Sequence, residues 1–207
     1  MSISTEGKTL GPDSAVSLVR KILDKIKYSK GFNLVTGYPT GGRSIPLPTA
    51  SLQNWNAIGT LITIPETIYL KGKVNFRSLV AFYSDGGEVD IMLGLYRYNG
   101  ESSGSPTCSL IMGTYIIPIS EGGWLESPAT VGEPIALYPG DTYYLVLFYN
   151  ASGLGMLGNS GVLADSYPYL SFLTTDLGDL SSPPATLAIG TETVNHIYGS
   201  IYSVNEG

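Results

Sequence analysis

From Ala57 onward, apolar and polar residues alternate in short runs, the period of a strand with one face buried. Ile58, Thr60, Ile62 and Ile64 fall on one side of the first run, which Pro65 stops. Further runs cover 67–76, 78–83, 89–98, 108–119, 134–137, 169–175 and 194–204. The run over 143–149 is different, because it holds no charge, glycine or proline. Tyr143, Leu145, Leu147 and Tyr149 point one way; Thr142, Tyr144, Val146 and Phe148 point the other. Both sides are apolar or aromatic, which predicts a central strand covered on two faces, with the other strands laid around it.

The breaks between runs carry turn chemistry. Pro139-Gly140 predicts a type II turn, since Pro presets φ and Gly accepts a positive φ. Asn99-Gly100 is a strong turn pair, Lys71-Gly72-Lys73 interrupts the 67–76 run, and Gly113 is a candidate bulge. Residues 121–124 read as a turn, 151–161 as an apolar but flexible loop with four glycines, and 177–184 as a loop. Eight to ten strands in this arrangement predict an all-β sandwich, jelly roll or small barrel.

One segment has the other period. Ala15, Val16, Val19, Ile22, Leu23 and Ile26 recur at spacings of three and four, with Lys and Arg at 20, 21, 25, 27 and 30 on the opposite side and in the last turn. Asp13 or Ser14 caps the start, and Gly31 suits the end. A helix of about four turns is marginal alone and must dock, either on its own body or on copies of itself. Self-association would use Val16, Val19, Ile22, Leu23 and Ile26. Residues 1–10 read as an extended arm. Residues 36–54 hold Pro39, Pro46, Pro48 and several glycines, which exclude a helix or central strand. The chain thus divides into an arm and amphipathic helix (1–30), a linker or wrapping segment (31–56) and a β-sandwich (57–207).

Composition narrows the class. The 207 residues include 26 Gly, 13 Pro and 15 Tyr but only 14% charged residues, which suits strands and tight turns and excludes disorder. Residues 1–30 carry six Lys/Arg against three Asp/Glu, and 31–207 carry five against fourteen, giving +3 and −9. The body is therefore a poor binder of nucleic acid. The basic front could instead meet an acidic partner, or simply be a solvated helix face. Cys108 is the sole cysteine, so no disulfide framework exists within the chain. No signal peptide is evident, and no apolar run approaches the ~18 residues of a membrane span.

Reaction chemistry is scarce. His196 is the sole histidine and reads as a packed or surface imidazole; Cys108 reads as a small core hydrophobe. No nucleophile elbow, P-loop or dinucleotide fingerprint occurs, and one His with one Cys cannot build a structural zinc site in a single chain. Asp85-Gly-Gly-Glu88-Val-Asp90 reads as a turn rather than a calcium loop. Neither an enzyme nor a cofactor or metal site is expected. Aromatics are the surplus: Trp124, Tyr96 and Tyr98 are candidate glycan contacts, although strands also favour Tyr for its packing. Asn150-Ala-Ser152 matches the glycosylation sequon but follows no secretory signal.

Leu93-Gly-Leu-Tyr-Arg-Tyr-Asn-Gly100, Gly123-Trp-Leu125 and the stretch from Leu137 through Tyr149 together resemble jelly-roll modules of tailed-bacteriophage virion appendages, such as head fibres, tail fibres and receptor-binding proteins. The Ser181-Ser-Pro-Pro-Ala185 loop before a final strand is similar too, and the likeness covers residues 57–205. It implies a jelly-roll-like antiparallel β-sandwich with one short N-terminal amphipathic helix. It also implies a non-enzymatic, homotrimeric virion surface protein, made in the host cytoplasm. Residues 1–30 would attach it to capsid or tail proteins, and the sandwich would face outward, where it could meet a host-surface glycan. The short helix and the lack of a fibre repeat favour a head fibre or small adaptor over a long tail fibre. The alternative is a carbohydrate-binding sandwich without catalytic activity.

Overall fold

The computed structural model describes residues 4–5, 8–9, 32–36, 43–46, 54–82, 89–100, 106–150, 154–158, 168–193 and 196–203. The expected helix, with Val16, Val19, Ile22, Leu23 and Ile26, lies outside them. Within them every regular element is a strand. β1 (Ser4–Thr5) and β2 (Lys8–Thr9) pair with each other. The body starts with β3 (Asn33–Val35), β4 (Arg43–Pro46), β5 (Asn56–Ile62) and β6 (Ile68–Phe82). Next come β7 (Val89–Tyr98), β8 (Thr107–Gly113), β9 (Ile117–Ile119), β10 (Gly123–Leu137), β11 (Tyr143–Tyr149) and β12 (Leu154–Gly158). It ends with β13 (Ser171–Thr174), β14 (Thr186–Ala188), β15 (Thr191–Glu192) and β16 (Gly199–Ser203).

These strands form an antiparallel β-sandwich. The six-stranded sheet runs β3-β16-β6-β12-β4, with β10 along the opposite side of β6. The eight-stranded sheet runs β14-β8-β7-β11-β5-β13-β15, with β9 also on β7. The chain passes back and forth between the sheets, as in a jelly roll. β11 sits where its pattern placed it, between β7 and β5, and all seven of its residues are buried.

Its two faces serve two cores. Tyr143, Leu145, Leu147 and Tyr149 join Ile58, Leu93, Phe76 and Ile201 between the sheets. Tyr144, Val146 and Phe148 face away from the second sheet, into a layer with Trp55, Met92, Tyr96, Cys108 and Phe172. A third layer closes that face through Leu177 and Leu180 of the loop after β13, while Leu187 joins from β14 at the edge of the same sheet and Ile189 follows it. Gly113, Gly94, Val146, Gly59 and Phe172 are successive register partners across the large sheet. The glycines leave a trough there. Phe172 lies over Gly59, Tyr96 over Gly94 and Pro183 against Gly113, each where a Cβ would stand. Hydrogen bonds fasten the cover at its start and midway along it. Asn54 takes the Gly178 amide at 2.9 Å and donates to Asp176 at 2.6 Å, while Tyr96 donates to the Pro184 carbonyl at 2.8 Å.

The entry to β11 is a turn of the expected kind. Gly140 has φ of 90°, and the Asp141 amide lies 3.4 Å from the Tyr138 carbonyl. The Tyr143 hydroxyl reaches back, accepting from the Tyr138 amide at 3.0 Å and donating to Asp141, which pairs with Arg97 at 3.0 Å. This is a tyrosine corner, locking the turn to the strand it feeds.

Several boundaries differ from the pattern. Lys71-Gly72-Lys73 does not break β6: Gly72 takes a φ of 70° opposite Val131, where the β10 register shifts, and the strand continues. β10 runs for fifteen residues, starting inside the expected 121–124 turn. Its prolines are tolerated because, among the described residues, β10 pairs with β6 alone, and an edge strand needs only one row of donors. Residues 151–161 contain β12, paired with β4 and β6, rather than loop throughout. The 108–119 region is interrupted at Thr114–Ile116, and its register shift falls opposite Leu95/Tyr96 rather than at Gly113.

Candidate functional site

The last segment of the body brings the histidine beside two hydroxyls. Ser171 Oγ lies 2.6 Å from His196 Nδ1 and 2.9 Å from Thr60 Oγ1, and Thr60 accepts the Ile197 amide at 2.7 Å. Nearby, Thr36 donates to the Ile197 carbonyl and accepts the Gly199 amide. Burial holds the imidazole below its usual pKa. Ser171 is wholly buried, so this constellation is a polar seam that ties β5, β13 and the approach to β16 together, not a nucleophile open to substrate. Cys108 is buried as well, 3.5 Å from the Leu187 carbonyl, and burial pushes its thiol up to about 12. Such a thiol is inert as a nucleophile. Asn150, the sequon residue, is buried and exchanges hydrogen bonds with Asp90. Among the described residues no three His, Cys, Asp or Glu side chains cluster as metal ligands, and no helix is long and apolar enough to cross a membrane.

The candidate contacts Trp124, Tyr96 and Tyr98 do not share a surface. Tyr96 has no exposure at all: its ring packs 6.0 Å from Phe148 in the outer layer of the large sheet, and burial raises its hydroxyl pKa strongly. Its faces are spent on the core, so it cannot stack on an outside ligand. Tyr98 is half-buried against the same layer. Trp124 lies on the opposite side of the molecule, on the outer face of the six-stranded sheet, with 44% of its surface in solvent.

There Trp124 heads an organised group from three adjacent strands. In β6, Val74, Phe76 and Ser78 point inward, which turns Asn75 and Arg77 outward. β10 alternates in the same sense and presents Trp124 and Glu126; Tyr202 is outward on β16. The Arg77 guanidinium lies 4.0 Å from the centre of the indole, and Tyr198 tilts against that indole at 5.3 Å. Arg77 Nε pairs with Glu126 at 3.2 Å. Glu126 also accepts from the Tyr202 hydroxyl at 3.0 Å, and Tyr202 accepts from the Asn75 amide at 3.1 Å. The result is a chain of side chains, Asn75–Tyr202–Glu126–Arg77–Trp124–Tyr198, each oriented by its neighbour. It can hold a ligand against an aromatic ring and hydrogen-bond its edge, but it offers no activated nucleophile.

The sequence-visible signal for Arg77 and Asn75 was the Lys73-Val-Asn-Phe-Arg77 alternation; nothing local tied them to Trp124. Against this geometry, no family model matches the chain, and no curated protein matches it either.

Proposed function

We propose that the protein is a non-catalytic structural and display component of a bacteriophage virion, a head fibre or small adaptor that assembles as a homotrimer through residues 1–30. The observation that carries this reading is the triple-layered sandwich. The central strand is buried on both faces, and its outer layer is sealed by 175–190 without any disulfide. A body of that kind suits a passive part that must persist outside a cell. Supporting it, the chain enters and leaves the body at one corner. Phe32 and Ser203 hydrogen-bond reciprocally, at 3.1 Å in each direction, and β3 pairs with β16 beside them. Attachment through the preceding segment therefore leaves the rest of the sandwich surface for display.

Light scattering on the full chain tests the assembly. The expected mass is three times 22.0 kDa. The full-chain variant Ile22→Asp/Leu23→Asp should fall to one chain while retaining the β-sheet circular dichroism of the body. A full chain that is monomeric throughout the micromolar range overturns the reading.

A further inference from the structure

The outer face of the six-stranded sheet carries an aromatic ring that the fold holds still but does not bury. We propose that this face, centred on Trp124, is a binding site for neutral glycan chains. The inference does not depend on a place in a virion.

Three observations converge. First, Trp124 is oriented on the solvent side of its sheet: Arg77 lies over the ring and Tyr198 tilts against it, yet 44% of the residue stays in solvent. Arg77 covers one face of the ring, so a pyranose would lay its apolar C–H face on the indole surface left in solvent, where little entropy is lost in ordering a side chain that is already held.

Second, the groups beside the ring have capacity left after their internal contacts. Among the described residues Arg77 sets its Nε against Glu126 and Asn75 donates through Nδ2, whereas a guanidinium carries five N–H donors and an amide oxygen two lone pairs. Glu126 is two residues along β10 from Trp124, on the same face, and Arg77 is its cross-strand partner. Sugar hydroxyls both donate and accept, so they match this mixture of a carboxylate, a guanidinium, an amide and a phenol. A second copy of the chain matches it poorly. Leu79 stands opposite Trp124 on β6, but the further outward neighbours Arg77, Glu126, Asn75 and Tyr202 are polar, whereas the centre of a protein interface is apolar and depleted of charge.

Third, the charge selects a neutral ligand. Glu126 balances Arg77 within the site, and residues 31–207 carry a net −9, which repels acidic polysaccharides at long range.

The full chain should be applied to an array of immobilised neutral oligosaccharides, based on glucose, galactose and mannose, alongside sialic acid and uronic acid glycans. Binding is expected on the neutral arm, and a neutral oligosaccharide that binds should perturb the fluorescence of the exposed Trp124, because Trp55 is buried. Trp124→Ala should weaken binding about tenfold or more, Trp124→Phe less, and Glu126→Gln should lower it while the ring remains. Thermal unfolding of each variant checks that the body is intact, and light scattering keeps assembly separate from binding. A blank neutral arm, binding confined to the acidic arm, or Trp124→Ala binding as the wild type overturns the proposal. So does a change of oligomeric mass in Trp124→Ala, which would assign the face to a second copy. None of these outcomes bears on whether residues 1–30 make a trimer.

Discussion

The two outer faces of the sandwich have opposite fates. On the large sheet, Tyr144, Val146, Phe148, Tyr96 and Met92 form an apolar plane that water would not tolerate, and the chain returns at 175–190 to cover it. On the small sheet, Asn75, Arg77, Glu126 and Tyr202 alternate with the core residues, and the face stays open around Trp124. A sheet whose strands are apolar on both sides must recruit a third layer. A sheet that alternates has one face to spare, and a large aromatic ring left on that face stands out because nothing in folding requires it there.

Substitutions on the two faces should therefore separate cleanly. The largest effect is expected for Phe148→Ala on the sealed face, about 3–5 kcal/mol less stable in urea unfolding, from lost transfer energy plus a cavity. If it costs no more than a surface substitution, the third layer does not hold. Gly59→Val comes next: a side chain there meets the Phe172 ring, and overpacking of this kind costs about 1–3 kcal/mol. Tyr143→Phe should follow at about 1–2 kcal/mol, because the Tyr138 amide loses its acceptor.

The polar seam adds a pH dependence. His196 has a folded pKa below the unfolded value of 6.5. Between those two values the unfolded chain binds the extra proton, so this residue's contribution favours folding above 6.5 and is lost as the pH falls toward the folded pKa. The midpoint of thermal unfolding should drop between pH 7.5 and 5.5 by more in the wild type than in His196→Gln. Equal slopes would remove His196 from the seam. The smallest effect belongs to the open face, where Trp124→Ala should cost about 1 kcal/mol, the scale of an exposed cation–π contact such as the one with Arg77. A loss comparable with Phe148→Ala would mean that the indole serves the core after all.

The sealed face was half legible in the sequence. The double apolar pattern of 143–149 shows that something must cover both sides of β11, but 175–190 has no period to betray it as the cover. Its apolar residues, Leu177, Leu180, Leu187 and Ile189, are spaced by Gly, Asp, Ser and Pro. What places them is the Asn54–Asp176 clamp and the Tyr96–Pro184 bond, contacts distant along the chain. Tyr96 and Tyr98 resemble ligand-binding aromatics only until Gly94 is seen to make room for the Tyr96 ring. The open face was legible as one residue, Trp124. Its partners sit on other strands, Asn75 and Tyr202 being 127 residues apart, and cross-strand register is invisible without the sheet. Of β10 only the end, 134–137, was legible; its first part was hidden for a local reason, since Pro128 argues against a strand unless it is known to lie at an edge.

The pairing of β3 and β6 with β16 has a kinetic consequence. Phe32 and Ser203 meet across 171 residues, and the inward Phe76 must wait for Ile201 to finish its sheet. On the ribosome, β6 emerges long before that partner, so the smaller sheet stays incomplete until β16 has been made. Folding should consequently be slow for the protein's size, with an unpaired strand exposed to aggregation in the interval.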